Sequence, residues 1–591
     1  MSSHPSISGR ELALTIPHIR EYIIHHLAAK DIRRCTRVSW EFHYLFAPYL
    51  WRFLSISRRY CFNSLRDRIS AYDERTLAER QSKIHTLSSI YGETWDLFLE
   101  RIDTSSHILD PTTRLYALRA PFSNLTVLRA LSTPKVVGVS YNNCVYVPQL
   151  LTLIEHSLRL HELEMSYIGP GHSTQIARLA EIIRGHPSLK KFKLSTQYIL
   201  CHLYRKLLWG CWNMDRVDLT MLVYVGYKNG QADEICHSAD DEKEFDTWFS
   251  QHHMPHRDTS ESDIKGKGKK ELDPVLPEFK VKELYLYSRQ SSHETGATFP
   301  FLRRCPHLER LRLPQVWTQT VLTEFARMVP ISLPKLAHLD LQSLDGSRQP
   351  NDANEAALFA ACSHHGGLRS VAMSHTHVAL PETMDALVRL HGASLESLDL
   401  VGCYKVSSAH VQQLLTHCTS LRSFVAVCET LIRPQPLWWA SRPTKADPSL
   451  QPHDVEYAED WACLGLRTLR LQFSCGDVST VERQASRAGI PRAIQRQIGR
   501  LEKLQDLRLC RDVSAGRGFK DISETSFEEI ENWEKATLAR GKENMEDALA
   551  IFSCLHELET LELRHLKEFV SPLSVRLVRK EWSKIRWVHY N

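Results

Sequence analysis

Apolar residues along this chain recur in the spacing L-x-x-L-x-L over most of its length. The units begin as Leu160/Leu163/Met165, Leu189/Phe192/Leu194, Met214/Val217/Leu219 and Val281/Leu284/Leu286. They continue as Leu308/Leu311/Leu313, Leu336/Leu339/Leu341, Leu368/Val371/Met373, Leu395/Leu398/Leu400 and Leu421/Phe424/Ala426. The last three are Leu466/Leu469/Leu471, Leu504/Leu507/Leu509 and Leu558/Leu561/Leu563. Seven of the eleven steps between successive units span 25 to 32 residues, a regularity that scattered leucines do not produce. The alternating L-x-L part predicts a short strand with its apolar side chains on one face and its intervening residues in solvent. One such unit cannot bury its apolar side alone. Stacked units can, as a parallel concave sheet with helices or turns on the other face, so an α/β solenoid of twelve strands is expected.

The unit from Leu395 shows how each repeat is completed. Gly402-Cys403 follows the strand, Val411, Leu414 and Leu415 take helical spacing, and Cys418 leads into the next strand. This unit resembles the cysteine-containing type of leucine-rich repeat. The resemblance implies that Cys403 and Cys418 fill core positions rather than bind metal.

Residues 14–54 carry a different pattern. Ile16, Ile19, Ile23 and Leu27 form one stripe of a helix opening at Pro17, and Asp31 stands in the first turn of a second helix. Ile32, Val38, Phe42, Leu45, Leu50 and Trp51 add more apolar surface than so short a bundle can bury internally, which marks a partner interface. The order Ile16-Pro17, Ile19 to Leu27, Lys30-Asp31-Ile32, Val38-Ser39 and Leu50-Trp51 resembles the F-box. His18 stands where that pattern has an acidic residue, Ala28 where a Ser cap is usual, and Ser39 where Cys is common. An F-box ahead of leucine-rich repeats looks like the substrate receptor of a cullin-type (SCF) ubiquitin ligase, and the segments WACLGLRTLRLQF and RAIQRQIGRLEKLQDLRLCRD resemble an expanded fungal group of these. The resemblance implies that Ile16, Pro17, Ile19, Ile23, Leu27, Asp31, Ile32, Val38, Leu50 and Trp51 bind a Skp-type adaptor, and through it a cullin, while the repeats hold a protein substrate. The alternative is a ligase-independent scaffold in which the bundle merely caps the array.

These patterns divide the chain into an N-terminus (1–10), an F-box-like helical domain (11–57), a helical linker (58–120) and the solenoid (121–591). Long steps mark insertions near 228–279, 429–460 and 511–548. The first holds an acidic block from Asp233 to Asp263 and then KGKGKK at 265–270, and is expected to stay solvated and mobile. The second is proline-rich and contains Trp438-Trp439; the third is charged. In the tail, Trp582 and Trp587 are placed to cap the open end of the core.

Net charge is only +5, from 74 basic against 69 acidic residues, which does not favour nucleic acid or an anionic membrane as partner. The fifteen cysteines lack paired spacing and fit a reducing compartment, cytoplasmic or nuclear. Catalytic constellations are missing. His161, His293 and His556 each precede a Glu, but none continues to the second His of a zinc-binding helix. Cys236, His237, His252, His253 and His256 cluster without a second regular ligand pair. Gly266 and Gly268 lack the third glycine and flanking elements of a nucleotide loop. No enzyme, metal or cofactor is therefore expected.

Binding is expected on the concave face, where the residue between the last two apolar positions of each repeat points outward. That row includes Arg312, Asp340, Asp399, Arg470, Arg508 and Glu562, of mixed sign. If the strands carrying Arg470 and Arg508 are neighbours, two guanidiniums lie side by side, ready for an acidic or phosphorylated segment unless Asp506 or Glu502 pairs with them.

Overall fold

A computed structural model of the chain describes residues 29–56, 83–89, 124–130, 147–166, 173–224, 227–228, 231–232, 238–253, 278–288, 293–314, 319–342, 352–373, 381–403, 406–427, 450–473, 490–511, 545–564 and 587–589, together with isolated positions elsewhere. It divides into two compact units, Met1–Val281 and Lys282–Asn591.

The first unit opens with helices α1 (Ala29–Cys35) and α2 (Trp40–Phe46) and a 3-10 turn (Ala47–Arg52). Six strands follow: β1 (Phe53–Ile56), β2 (Thr86–Ser89), β3 (Val127–Ala130), β4 (Glu162–Ser166), β5 (Lys191–Leu200) and β6 (Arg216–Tyr224). They pair in sequence order, all parallel, so that Leu54, Leu87, Leu128, Leu163, Phe192 and Val217 form one rung-to-rung row. From Leu87 to Val217 that row is at most 1% exposed. Helices α3 (Val147–His156), α4 (Ser173–Gly185) and α5 (Cys201–Gly210) return the chain between strands. A small antiparallel pair, β7 (Tyr227–Lys228) and β8 (Gln231–Ala232), and helix α6 (Ser238–His253) complete the unit.

The second unit repeats the arrangement with ten strands. These are β9 (Glu283–Ser288), β10 (Arg310–Pro314), β11 (His338–Gln342), β12 (Ser370–Ala372), β13 (Ser397–Asp399), β14 (Ser423–Ala426), β15 (Thr468–Phe473), β16 (Asp506–Arg511), β17 (Thr560–Arg564) and β18 (Trp587–His589). Again every pairing is parallel and in order, with Leu311, Leu339, Val371, Leu398, Phe424, Leu469, Leu507 and Leu561 in register and almost wholly buried. The connecting helices are α7 (His293–Leu302), α8 (Gln319–Ser332), α9 (Asp352–Cys362), α10 (Pro381–His391), α11 (Ser408–His417), α12 (Pro452–Glu456) and α13 (Arg492–Gly499). The chain is an α/β leucine-rich-repeat solenoid, and all twelve segments carrying the spacing are strands.

Local chemistry explains each turn of the solenoid. Just ahead of a strand, one carbonyl accepts two consecutive N–H groups of the next repeat: Ala337 from Arg369 and Ser370, Arg369 from Glu396 and Ser397, Glu396 from Arg422 and Ser423. Gly402, at φ 73°, turns the chain out of β13, a conformation that costs a residue with a Cβ. Ser407 then caps α11, its hydroxyl accepting from His410 N while His410 Nδ1 accepts from Ser407 N. Val411, Leu414 and Leu415 are buried beneath, with Cys403 and Cys418 at 0% exposure. Burial pushes the Cys418 thiol up to about 12, so it acts as a small apolar side chain rather than a nucleophile.

Four expectations need correction. The sheet begins before residue 121. β1 lies inside the segment assigned to the F-box-like domain, and β2 inside the segment assigned to a helical linker. Ile84/Leu87 and Leu125/Leu128 have the right spacing, but Ser89 and Ala130 follow where the pattern has leucine. The 228–279 insertion is not wholly a solvated linker. Phe245, Trp248 and Phe249 fall on one face of α6 and pack on Trp209 and Trp212, with Phe245 to Trp209 and Phe249 to Trp212 both at 5.2 Å between ring centroids. Phe245 is 2% exposed, and Glu244 pairs with Lys206 at 3.5 Å, so the helix docks by aromatic burial despite its acidic composition. The end of the 429–460 insertion is also built in: Leu450 is fully buried and bridges to Phe473. In the tail, Trp582 is buried, but Trp587 belongs to a further strand, with Val588 continuing the leucine row. Trp438 and Trp439, the KGKGKK cluster and most of 511–548 lie outside the described residues.

Candidate protein-interaction surfaces

The N-terminal helices form a miniature core. Ile32 (0% exposed) and Phe46 (2%) sit at its centre, with Leu27, Cys35, Phe42, Leu45, Tyr49 and Leu50 packed around them. Ser39 caps α2 by accepting the Phe42 N–H at 3.2 Å, a task a cysteine thiol performs poorly. Asp31 is in the first turn of α1 and pairs with Arg34 at 3.3 Å. Of the residues expected to meet an adaptor, Ile16 and Pro17 lie outside the described residues. Ile19, Ile23, Leu27, Asp31, Leu50 and Trp51 are half-buried, and Val38 is exposed. Ile32 is a correction. Its full burial makes it the bundle's keystone and removes it from any contact surface. Two residues that the motif comparison passed over join Val38 as large exposed apolar groups: Tyr22 (70%) and Trp40 (78%), whose ring stacks on His43 at 5.5 Å. Their signal was in the sequence as aromatics outside the helical stripe, but exposure is a property of the packed bundle.

The second candidate surface is the solvent face of the sheet. In the first unit its outward row alternates in sign and pairs with itself: Arg129 with Glu162 at 2.6 Å and Glu164 at 3.5 Å, and Lys193 with Glu164 at 2.7 Å. In the second unit Arg312 pairs with Asp340 across β10 and β11 at 2.5 Å and lies 5.5 Å from the Tyr285 ring centroid. Burial lifts the Asp340 carboxyl above the ordinary carboxylate range. Arg312 pulls the other way, and Asp399 adds to the lift.

Arg470 and Arg508 are direct cross-strand neighbours. Arg470 pairs with Asp506 at 3.1 Å; Arg508 pairs with Asp506 at 3.0 Å and with Glu562 at 3.2 Å. Glu562, expected to stand in solvent, is 1% exposed. The two guanidiniums are therefore compensated by a four-residue network, not poised for an incoming anion. Asp399 is half-buried and accepts the Val401 N–H at 3.0 Å, closing the turn after β13.

Among the described residues no group of three or more His, Cys, Asp or Glu side chains is arranged to hold a metal ion. No helix among them is long and apolar enough to cross a membrane.

No protein-family model matches this chain, and no curated protein matches it. Solved structures do resemble it. A yeast structure of a Rad7 and Elc1 complex is 15% identical, covering 53% of this chain and 75% of that chain at a TM-score of 0.25. An internalin from Listeria monocytogenes is 11% identical over 74% of this chain and 83% of that chain, at a TM-score of 0.31. A Bacteroides fragilis protein is 11% identical over 58% of this chain and 73% of that chain, at a TM-score of 0.26. None of these likenesses bears on what this chain binds.

Proposed function

We propose that this chain is the substrate-recruiting subunit of a cullin-type ubiquitin ligase, its N-terminal helices docking on a Skp-type adaptor and its repeats holding a protein substrate in the cytoplasm or nucleus. The observation that carries this reading is the exposed apolar trio Tyr22, Val38 and Trp40, beside half-buried Ile19 and Ile23, on a helical bundle directly ahead of a leucine-rich-repeat sheet. Such a protein does no bond chemistry. It raises the effective concentration of target lysines near a partnered enzyme.

The test is co-purification of the full chain with the adaptor. Ile19→Asp/Ile23→Asp places two charges in a desolvated apolar interface and should weaken capture at least tenfold, and Trp40→Ala should weaken it measurably. Undiminished capture by a variant with an unchanged melting profile would refute the adaptor role. One observation favours the second reading, a ligase-independent scaffold: the 3-10 turn runs straight into β1, and Arg52 O accepts the His85 N–H at 3.0 Å, so the bundle is joined to the first rung as a cap would be. A bundle that never binds adaptor is that reading's outcome.

A further inference from the structure

Immediately ahead of strands β11 to β16 lies a row joined by backbone hydrogen bonds: Ala337, Arg369, Glu396, Arg422, Arg467 and Gln505. Each step along it is one strand spacing, ~4.8 Å. Arg369 and Arg467 are exposed, and neither has an ion-pair partner among the described residues. Arg422 between them is 61% exposed and reaches Glu396 only at 3.7 Å.

The floor beside this row differs from the rest of the sheet. On β12 to β14 the solvent positions are Ser370, Ala372, Ser397, Asp399 and Ser423, short side chains throughout, with Val425 buried between them and Thr468 following on β15. On either side stand longer pairs, Arg312 with Asp340 and Arg470 with Asp506. The result is a shallow trough, walled by neutralised pairs and edged by uncompensated arginines. A carboxylate entering it meets a planar donor fork. Its acidic neighbours among the described residues include Glu396, the turn-bound Asp399, and Asp340 and Asp506, which already pair with Arg312 and with Arg470 and Arg508. Serine and threonine hydroxyls on the floor offer hydrogen bonds to an extended backbone.

We infer that strands β12 to β15 seat an acidic segment of a protein partner, with its carboxylates on Arg369 and Arg467 and small residues over Ala372 and Ser397. This names the substrate class for the recruiting role proposed above and rests on it. It also moves the anion-binding positions away from Arg470 and Arg508. Arg369 and Arg467 are three strand spacings apart, ~14 Å, so acidic residues about four positions apart in an extended segment span them.

The experiment is selection of a random dodecapeptide display library on the immobilised full chain. Selected peptides should be enriched in Asp and Glu, paired about four positions apart. The enrichment should fall at least tenfold on Arg369→Glu/Arg467→Glu, less on Arg369→Gln/Arg467→Gln, and not at all on Arg496→Glu, an exposed arginine of α13. An unenriched selection overturns the inference, as does acidic enrichment that survives in a double variant with an unchanged melting profile. So does tighter retention of labelled oligouridine than of any selected peptide, lost in the same variant, which reassigns the trough to nucleic acid. Adaptor capture measured on the same preparations keeps the readings apart. Capture without acidic enrichment removes only this inference, and enrichment without capture removes only the ligase assignment.

Discussion

Trp461→Ala is expected to lower the stability of the second unit by about 3–5 kcal/mol, enough to consume much of a typical domain's margin. Trp461 is the largest of the fully buried side chains among the described residues. Its indole N–H donates to Gln412 Oε1 of α11 at 2.8 Å, and its backbone N–H donates to Gln497 Oε1 of α13 at 3.1 Å. Both amides are themselves buried. The residue thus ties the helices of the two repeats that flank the one interrupted by the proline-rich insertion. Alanine leaves a cavity and strands the Gln412 carbonyl, while the backbone bond to Gln497 survives. Trp461→Phe keeps most of the packing but strands the Gln412 carbonyl, and should cost about 1–3 kcal/mol. Urea unfolding of the full chain, read by circular dichroism, gives both numbers. An alanine variant within about 1 kcal/mol of the parent would show that the ring's packing and its bond to Gln412 do not hold these helices together.

The second large effect belongs to His391, at the end of α10 and fully buried. Its Nδ1 accepts the Leu368 N–H at 2.9 Å, so the proton is on Nε2, which donates to Phe359 O at 2.9 Å. One ring thereby joins two successive repeats. Gly367 makes room for it: at φ +81°, a Cβ there would lie 2.5 Å from Ser394 Oγ and 3.0 Å from His391 Nδ1. His391→Ala should cost about 2–4 kcal/mol, through the cavity and the two stranded backbone groups. Burial holds the imidazole below its ordinary value, against the raising effect of the Phe359 bond. His186 is lowered for the same leading reason. The folded state therefore binds fewer protons than the unfolded state on the acid side. Its stability is intact above the unfolded histidine value near 6.5 and declines as pH falls below it. Denaturant midpoints taken between pH 7.5 and 5 should drop for the parent and drop less steeply for His391→Gln. Parallel slopes would show that another group governs the acid limb.

The two faces of the solenoid divide these roles physically. The buried face is close-packed, so a lost ring or methyl group is felt directly. The solvent face is held by ion pairs a third or more exposed on the basic side, each worth little by itself in water. What such a face contributes is a pattern of compensated and uncompensated charge, and the pattern is what a partner reads.

Sequence alone determined the repeat. A period-two strand inside a period near 28 residues has few ways to bury its leucines, and stacking them in register is the one that uses every unit. That logic located twelve strands, and the resemblance to the cysteine-containing repeat implied the core roles of Cys403 and Cys418. It passed over the rungs ending at Ser89 and Ala130, where the third apolar position is a small residue and the first two alone carry the signal. It misjudged α6, because acidic composition is a property of the whole segment, whereas docking needs only the one aromatic face of Phe245, Trp248 and Phe249. The candidate surfaces were legible as rows but not as chemistry. That Arg470 and Arg508 adjoin follows from register, a sequence property. That Asp506 and Glu562 neutralise them while Arg369 and Arg467 stay uncompensated depends on side-chain distances of a few ångströms between strands up to 54 residues apart in the chain. Only the tertiary structure decides those, because Coulomb attraction depends on separation in space and not along the sequence.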